Sequence, residues 1–170
     1  MGILRRTQNR LAESQMQLET AIDFDRNNAR AIFQLGHTLR SLGQPRAAIP
    51  HFEKALRLNS RDPNIGSLYF GFGQCLLLLR QVNEAIDLLR KARAGNPRLW
   101  FFHLWLAGAL GLSGDLDEAR SALTEAIRLR PEVHSLARLL AHCPDYSNPR
   151  HWALCDKTLN IGLRRAGMPD

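Results

Sequence analysis

Four side chains of the kinds that bind zinc stand near the C-terminal end of this 170-residue sequence: His142, Cys143, His151 and Cys155. Two thiolates and two imidazoles are a suitable donor set for a tetrahedral site. Their spacing does not suit a compact one. His142 and Cys143 are neighbours and point in different directions on a helix, whereas His151 and Cys155, four apart, share a face. The expectation is a small half-buried thiol in each cap helix, and no metal or other cofactor. Catalytic groupings are also missing. There is no Gly-rich phosphate loop, no nucleophile elbow and no pair of metal-binding carboxylates on adjoining strands, so the chain is not expected to be an enzyme.

The formal charge is +7, from 23 Lys and Arg against 16 Asp and Glu. A basic balance can serve nucleic acid, an anionic membrane surface or an acidic protein. Here Arg5, Arg6, Arg10, Arg26, Arg30, Arg80, Arg90, Lys91, Arg93, Arg164 and Arg165 are scattered and form no stripe with interleaved aromatics. Solvated helix faces rich in Arg account for them, and a basic solenoid on nucleic acid is the alternative class. The three cysteines are an odd number in a chain rich in core-forming residues, which points to a reducing compartment, the cytoplasm. Leu99 to Leu112 is too short for a spanning helix and contains His103, and no apolar signal region follows the basic start.

The elements that must position any site show up as repeats. Gly36, Gly73 and Ala107 each precede a second small residue, Ala48, Ala85 and Ala119, by 12 positions. A large residue follows at 4 (Phe52, Leu89, Leu123) and an alanine at 7 (Ala55, Ala92, Ala126). Two helices cross closely only where both present a side chain no larger than methyl, and the large residues then fill the gap to the next pair. The markers advance by 37 and then 34 residues, the surplus falling in Asn59-Ser60-Arg61-Asp62-Pro63. Gly43-Gln44-Pro45 and Gly114-Asp115 separate helices, and Asp115 with Glu118 has capping-box spacing. Asp62-Pro63, Asn96-Pro97 and Asn148-Pro149 read as polar caps ahead of a first-turn proline. Helices are predicted near 10–24, 28–41, 45–58, 64–80, 82–94, 98–113, 116–129, 132–142 and 148–166, with no convincing strand.

Leu35-Gly36, Leu39, Ala48, Phe52 and Ala55 resemble the tetratricopeptide repeat. So do Phe72-Gly73, Leu76, Ala85, Ala92 and Pro97, and Leu106, Leu110, Gly114, Ala119, Ala126 and Pro131. The resemblance implies an all-α, right-handed alpha-alpha superhelix. It is expected as one domain over 1–170, with a partial repeat at 1–28, repeats at 29–63, 64–97 and 98–131, and two capping helices over 132–170. Asn9-Arg10-Leu11-Ala12-Glu13 aligns with the turn and second helix of an earlier repeat, so the chain is expected to begin part-way through a pair and to be the C-terminal piece of a longer protein or a truncated gene product. Leu11, Leu18 and Ile22 would then lack cover, which predicts a homodimer through the N-terminal helices. The closing Gly162-Leu163-Arg164-Arg165-Ala166-Gly167-Met168-Pro169-Asp170 resembles the ending of bacterial class III adenylate cyclases that carry such repeats behind the cyclase domain. Ser60-Arg61-Asp62-Pro63, Trp105-Leu106-Ala107 and Leu116-Asp117-Glu118-Ala119-Arg120 are similar to that group too. Arrays of this kind also follow winged-helix transcription activators. Either likeness implies a regulatory arm of a signalling protein.

In such a stack the first helix of each pair lines the inner surface. The predicted groove residues are Arg30, Phe33, Gln34, His37, Arg40, Phe70, Gln74, Leu77, Phe101, Leu104 and Trp105. An aromatic, partly basic groove suits a protein or peptide partner, either an amphipathic helix or an extended segment with an acidic residue. Some tetratricopeptide domains clamp a terminal carboxylate with Lys and Asn at set places. Those places hold Phe33, His37, Phe70 and Gln74 here, so that clamp is not expected.

Overall fold

The computed structural model describes residues 2–59, 65–142 and 148–170, with side chains from Arg10 onward. Every described element is helical. They are α1 (Gly2–Phe24), α2 (Ala29–Ser41), α3 (Pro45–Leu58), α4 (Ile65–Leu78), α5 (Val82–Gly95), α6 (Trp100–Ser113), α7 (Leu116–Leu129), a 3-10 turn (Pro131–Val133), α8 (Leu136–His142), α9 (Pro149–Asp156) and α10 (Leu159–Arg165). Helix α2 pairs with α3, α4 with α5 and α6 with α7, and each pair stacks on the next. The result is a helical solenoid.

The small residues sit where close crossing demands them. Ala48, Ala85, Ala107, Ala119, Ala55, Ala92 and Ala126 are all 0% exposed. Phe52 is also fully buried, its ring wedged against Gly36 of α2 and Gly71 of α4. Burying a Phe side chain stabilises by about 1.5–3 kcal/mol. The ring therefore joins two pairs only because its neighbours carry no β-carbon.

Local caps set the boundaries. Asn28 Oδ1 accepts from Ala31 N at 3.0 Å to start α2, and Asp115 Oδ1 accepts from Glu118 N at 3.5 Å to start α7. Asn148 accepts from Arg150 N and His151 N to start α9, as its place before Pro149 predicts. Asn96 departs from that pattern. It closes α5, and its Oδ1 accepts from Arg98 N at 3.2 Å, so α6 begins only at Trp100 behind Leu99. An Asx turn there outcompetes the helix start.

Three further boundaries differ from the sequence expectation. Helix α1 runs unbroken from Gly2, so Asn9-Arg10 is not a turn, since no Gly or Pro between residues 3 and 9 interrupts it. Leu11, Leu18 and Ile22 are half-buried, with Leu18 and Ile22 packed on the α2 and α3 core. The open apolar side chains near them are Met16 (69% exposed) and Phe24 (90%). The predicted 132–142 helix is a 3-10 turn followed by the short α8, because Ser135 Oγ caps a new start by accepting from Arg138 N at 3.2 Å. The predicted 148–166 helix breaks at Lys157-Thr158, where Thr158 Oγ1 turns back to Leu154 O at 2.8 Å. The Ser60 to Pro63 loop and Cys143 lie outside the described residues.

The C-terminal cap closes the stack by lying on α6. Helix α10 crosses it through Gly108, Gly111 and Gly162, with backbone against backbone. A β-carbon at Gly162 would stand 1.7 Å from the Gly108 carbonyl oxygen. Gly167 then ends α10 in the left-handed region (φ 101°), with Met168 N bonded to Leu163 O and Gly167 N to Arg164 O. Leu136 N is bonded to Pro169 O at 2.9 Å, which ties the tail to α8. As a result, Phe102 through Gly111 are all buried.

Candidate binding groove

Helices α2, α4 and α6 supply the concave side. Phe33, His37, Arg40, Phe70, Gln74, Phe101, Leu104 and Trp105 line one bowl of about 460 Å³. Arg30 and Gln34 stand beside it in a smaller depression. The exception is Leu77, which is 0% exposed and belongs to the core between pairs. Its neighbours Leu76 and Leu78 are buried too, so α4 is covered on more sides than a surface helix.

The bowl is deeper than an open inner surface. Phe70 (8% exposed), Gln74 (3%), Leu104 (1%), Trp105 (4%) and Arg40 (4%) form its floor, while Phe33, His37 and Phe101 are half-buried at the rim. The cause is the cap. Leu139 and His142 of α8 and His151 of α9 also line the bowl and shut its far end. The floor is a packed aromatic cluster. Ring centroids of Phe70 lie 5.1 Å from Phe101, 4.7 Å from Phe102 and 6.2 Å from Trp105. At the other end Phe33 meets His37 edge-on at 4.6 Å.

Polar groups interrupt the aromatic lining: His37, Arg40, Ser67, Gln74, Arg130, His142 and His151. Arg40 Nη2 donates to Ser41 Oγ at 3.3 Å. The Arg130 guanidinium sits 4.9 Å over the Trp100 ring. Gln74 Oε1 is buried and has no hydrogen-bond partner among the described residues. No carboxylate occurs anywhere in α2, α4 or α6, and none among the described residues lines the bowl. Cys75, on α4, lies in the core next to the α2 charge. Burial pushes its thiol up to about 12, with Arg40 pulling the other way.

Sequence reasoning missed Trp100, Arg130, Ser67 and the three cap residues. Ser67 and Trp100 are the early positions of inner helices, where repeat register could have flagged them. The cap residues follow no register and carried no such signal.

Among the described residues the zinc-type side chains do not assemble. His151 Nε2 and Cys155 Sγ lie 3.4 Å apart and both are 0% exposed, while His142 is exposed with Nδ1 at 2.9 Å from Arg138 O. Cys155 is therefore fully buried, not half-buried, because the face of α9 that carries it packs into the main hydrophobic core. Among the described residues no group of three metal-binding side chains occurs, and no helix is long and apolar enough to cross a membrane.

Comparison with known proteins fits this architecture. Tetratricopeptide repeat models match residues 27–97 and 102–133. BBSome complex member BBS4 of Bos taurus is 32% identical over 107 residues, which is 63% of this chain and 20% of that protein. The chain thus spans about a fifth of that relative. MamA of Desulfovibrio magneticus superposes with a TM-score of 0.65 at 23% identity, covering 98% of this chain and 93% of its own. YrrB, a TPR protein with an unusual peptide-binding site, gives 0.62 at 23% identity, covering 90% and 78%. Such scaffolds are in general non-catalytic and bind protein or peptide partners. Repeats in phase, pairs crossing on alanine and glycine, and matched models over more than half the length place this chain in the tetratricopeptide repeat family.

Proposed function

We propose that the chain is a protein-interaction module that holds a peptide segment of a partner in the bowl of α2, α4 and α6. The observation that carries this is the bowl itself, rich in aromatic rings and, among the described residues, without a carboxylate, built mainly from inner-helix side chains of three successive pairs. Its volume of about 460 Å³ accepts one or two bulky side chains and falls within the range of ligand sites. The peptide-binding site described for YrrB and the complex membership of BBS4 support the same class of use. Affinity capture with the purified chain tests it, comparing wild type with Phe101→Ala, whose ring is at the rim and not in the floor. Partners should be lost from the variant. Equal capture by both would place the interaction elsewhere.

At the finer level we read the chain as a regulatory arm of a cytoplasmic bacterial signalling protein. The likeness of Gly162 to Asp170 to cyclase endings supports this. The upstream reading frame tests it: a cyclase or winged-helix domain there upholds the reading, and an independent start removes it. Self-association through α1 belongs to the same proposal, supported by the open Met16 and Phe24. Light scattering across a concentration series should show mass rising, and a strict monomer would refute it.

A further inference from the structure

The aromatic bowl has a neighbour. A second depression of about 360 Å³ lies at the N-terminal ends of α2 and α4, and Phe33 and Ser67 line both hollows. The two form one continuous surface. The bowl surface is mainly apolar and aromatic. The second hollow is smaller and more mixed, with Arg30 and Gln34 exposed beside Phe33 and Leu68. Among the described residues Arg30 makes no ion pair, and none of those lining either hollow is acidic. A cation held beside an apolar bowl, on helices without a single carboxylate, is complementary to an anion carried next to an apolar anchor.

From this we infer that the groove reads a two-point signal in an extended partner segment: one large apolar or aromatic side chain in the bowl, and one Asp or Glu two to four residues away on Arg30. The inference rests on the peptide-binding reading above and specifies what it selects. The spacing follows from α2. Arg30 stands three positions before Phe33 and seven before His37, which at 1.5 Å per residue is about 4.5 to 10 Å. An extended chain covers that span in about one to three residues at roughly 3.4 Å each, and the length of the Arg side chain adds about one more. Leu139, His142 and His151 of the cap wall one side of the bowl, so the anchor enters as a projecting side chain.

Selection of a displayed library of random short peptides on the purified chain tests the inference. The expected consensus is a Phe, Trp, Leu or Met with Asp or Glu two to four positions away. For a selected peptide, Arg30→Gln should weaken binding by about three- to fivefold, the size of an exposed ion pair, and should leave the Glu→Gln version of that peptide unchanged. Emission from Trp100 and Trp105 should shift on binding, which gives a readout that needs no variant. A consensus without an acid, still lost on Phe101→Ala, would overturn the two-point reading and leave the groove standing. Selected peptides that bind Phe101→Ala as well as wild type and leave the tryptophan emission unmoved would overturn both, as would failure to enrich any peptide.

Discussion

Replacing Gly162 with Ala should destabilise the protein although the exchange favours a helix. On propensity alone Ala in the interior of α10 would stabilise by about 1 kcal/mol. The crossing on α6 reverses the sign. The new β-carbon would meet the Gly108 carbonyl oxygen at 1.7 Å and its Cα at 3.0 Å, and these are backbone atoms that cannot swing aside. Ordinary contact returns only if α10 withdraws by roughly 1.5 Å. Overpacking of this kind costs about 1–3 kcal/mol. The upper end applies because withdrawal loosens Leu159 and Leu163, both 0% exposed. Net destabilisation is then about 2 kcal/mol after the propensity gain. For a chain of this length that lowers Tm by about 4–8 °C, and the urea midpoint by about 1 M. Urea unfolding followed by far-UV circular dichroism measures it. Gly114→Ala is the control, since Gly114 has φ 100° and nothing within 4 Å of a β-carbon, so only backbone strain of about 1 kcal/mol applies. A Gly162→Ala chain as stable as wild type, or more so, would refute the backbone-on-backbone crossing.

Other perturbations separate the remaining parts of the argument. Phe52→Ala should cost about 3–5 kcal/mol in the same titration, because the ring is fully buried between Gly36 and Gly71 and its removal leaves a cavity between two pairs. Arg80 holds the left-handed position after α4 (φ 65°), with Arg80 N bonded to Leu77 O and Gln81 N to Leu76 O. Arg80→Gly should therefore stabilise by about 1 kcal/mol, less whatever the exposed bond from its guanidinium to Lys157 O contributes. The Cys75 thiol is raised to about 12 in the fold, so it stays protonated and unreactive to thiol reagents at neutral pH. The sign of the linkage follows: the unfolded chain loses its thiol proton first, so stability is intact below about pH 9 and declines from there towards pH 12. A pH series of denaturation midpoints should show that decline in wild type and less of it in Cys75→Ala.

The repeats were legible because close packing leaves a mark in composition. Where α2 meets α3, α4 meets α5 and α6 meets α7, only Gly or Ala fits, so the spacing of Gly36 to Ala48, Gly73 to Ala85 and Ala107 to Ala119 discloses the pairs. Most of the bowl followed from the same register. The cap was not legible in that way. Its decisive contact joins Gly108 to Gly162, far apart in sequence and outside any period, and two glycines alone do not announce a partner. The closing residues nevertheless have structural work to do, each of them. Gly162 makes the crossing, Leu163, Ala166 and Met168 are buried, and Arg164 pairs with Asp170 at 2.7 Å. Arg165 reaches Leu112 O, Gly167 turns the chain, and Pro169 O takes the Leu136 N–H. Any stack sealed by a helix lying this close would keep such an ending. Such an ending therefore reports first how the stack is closed.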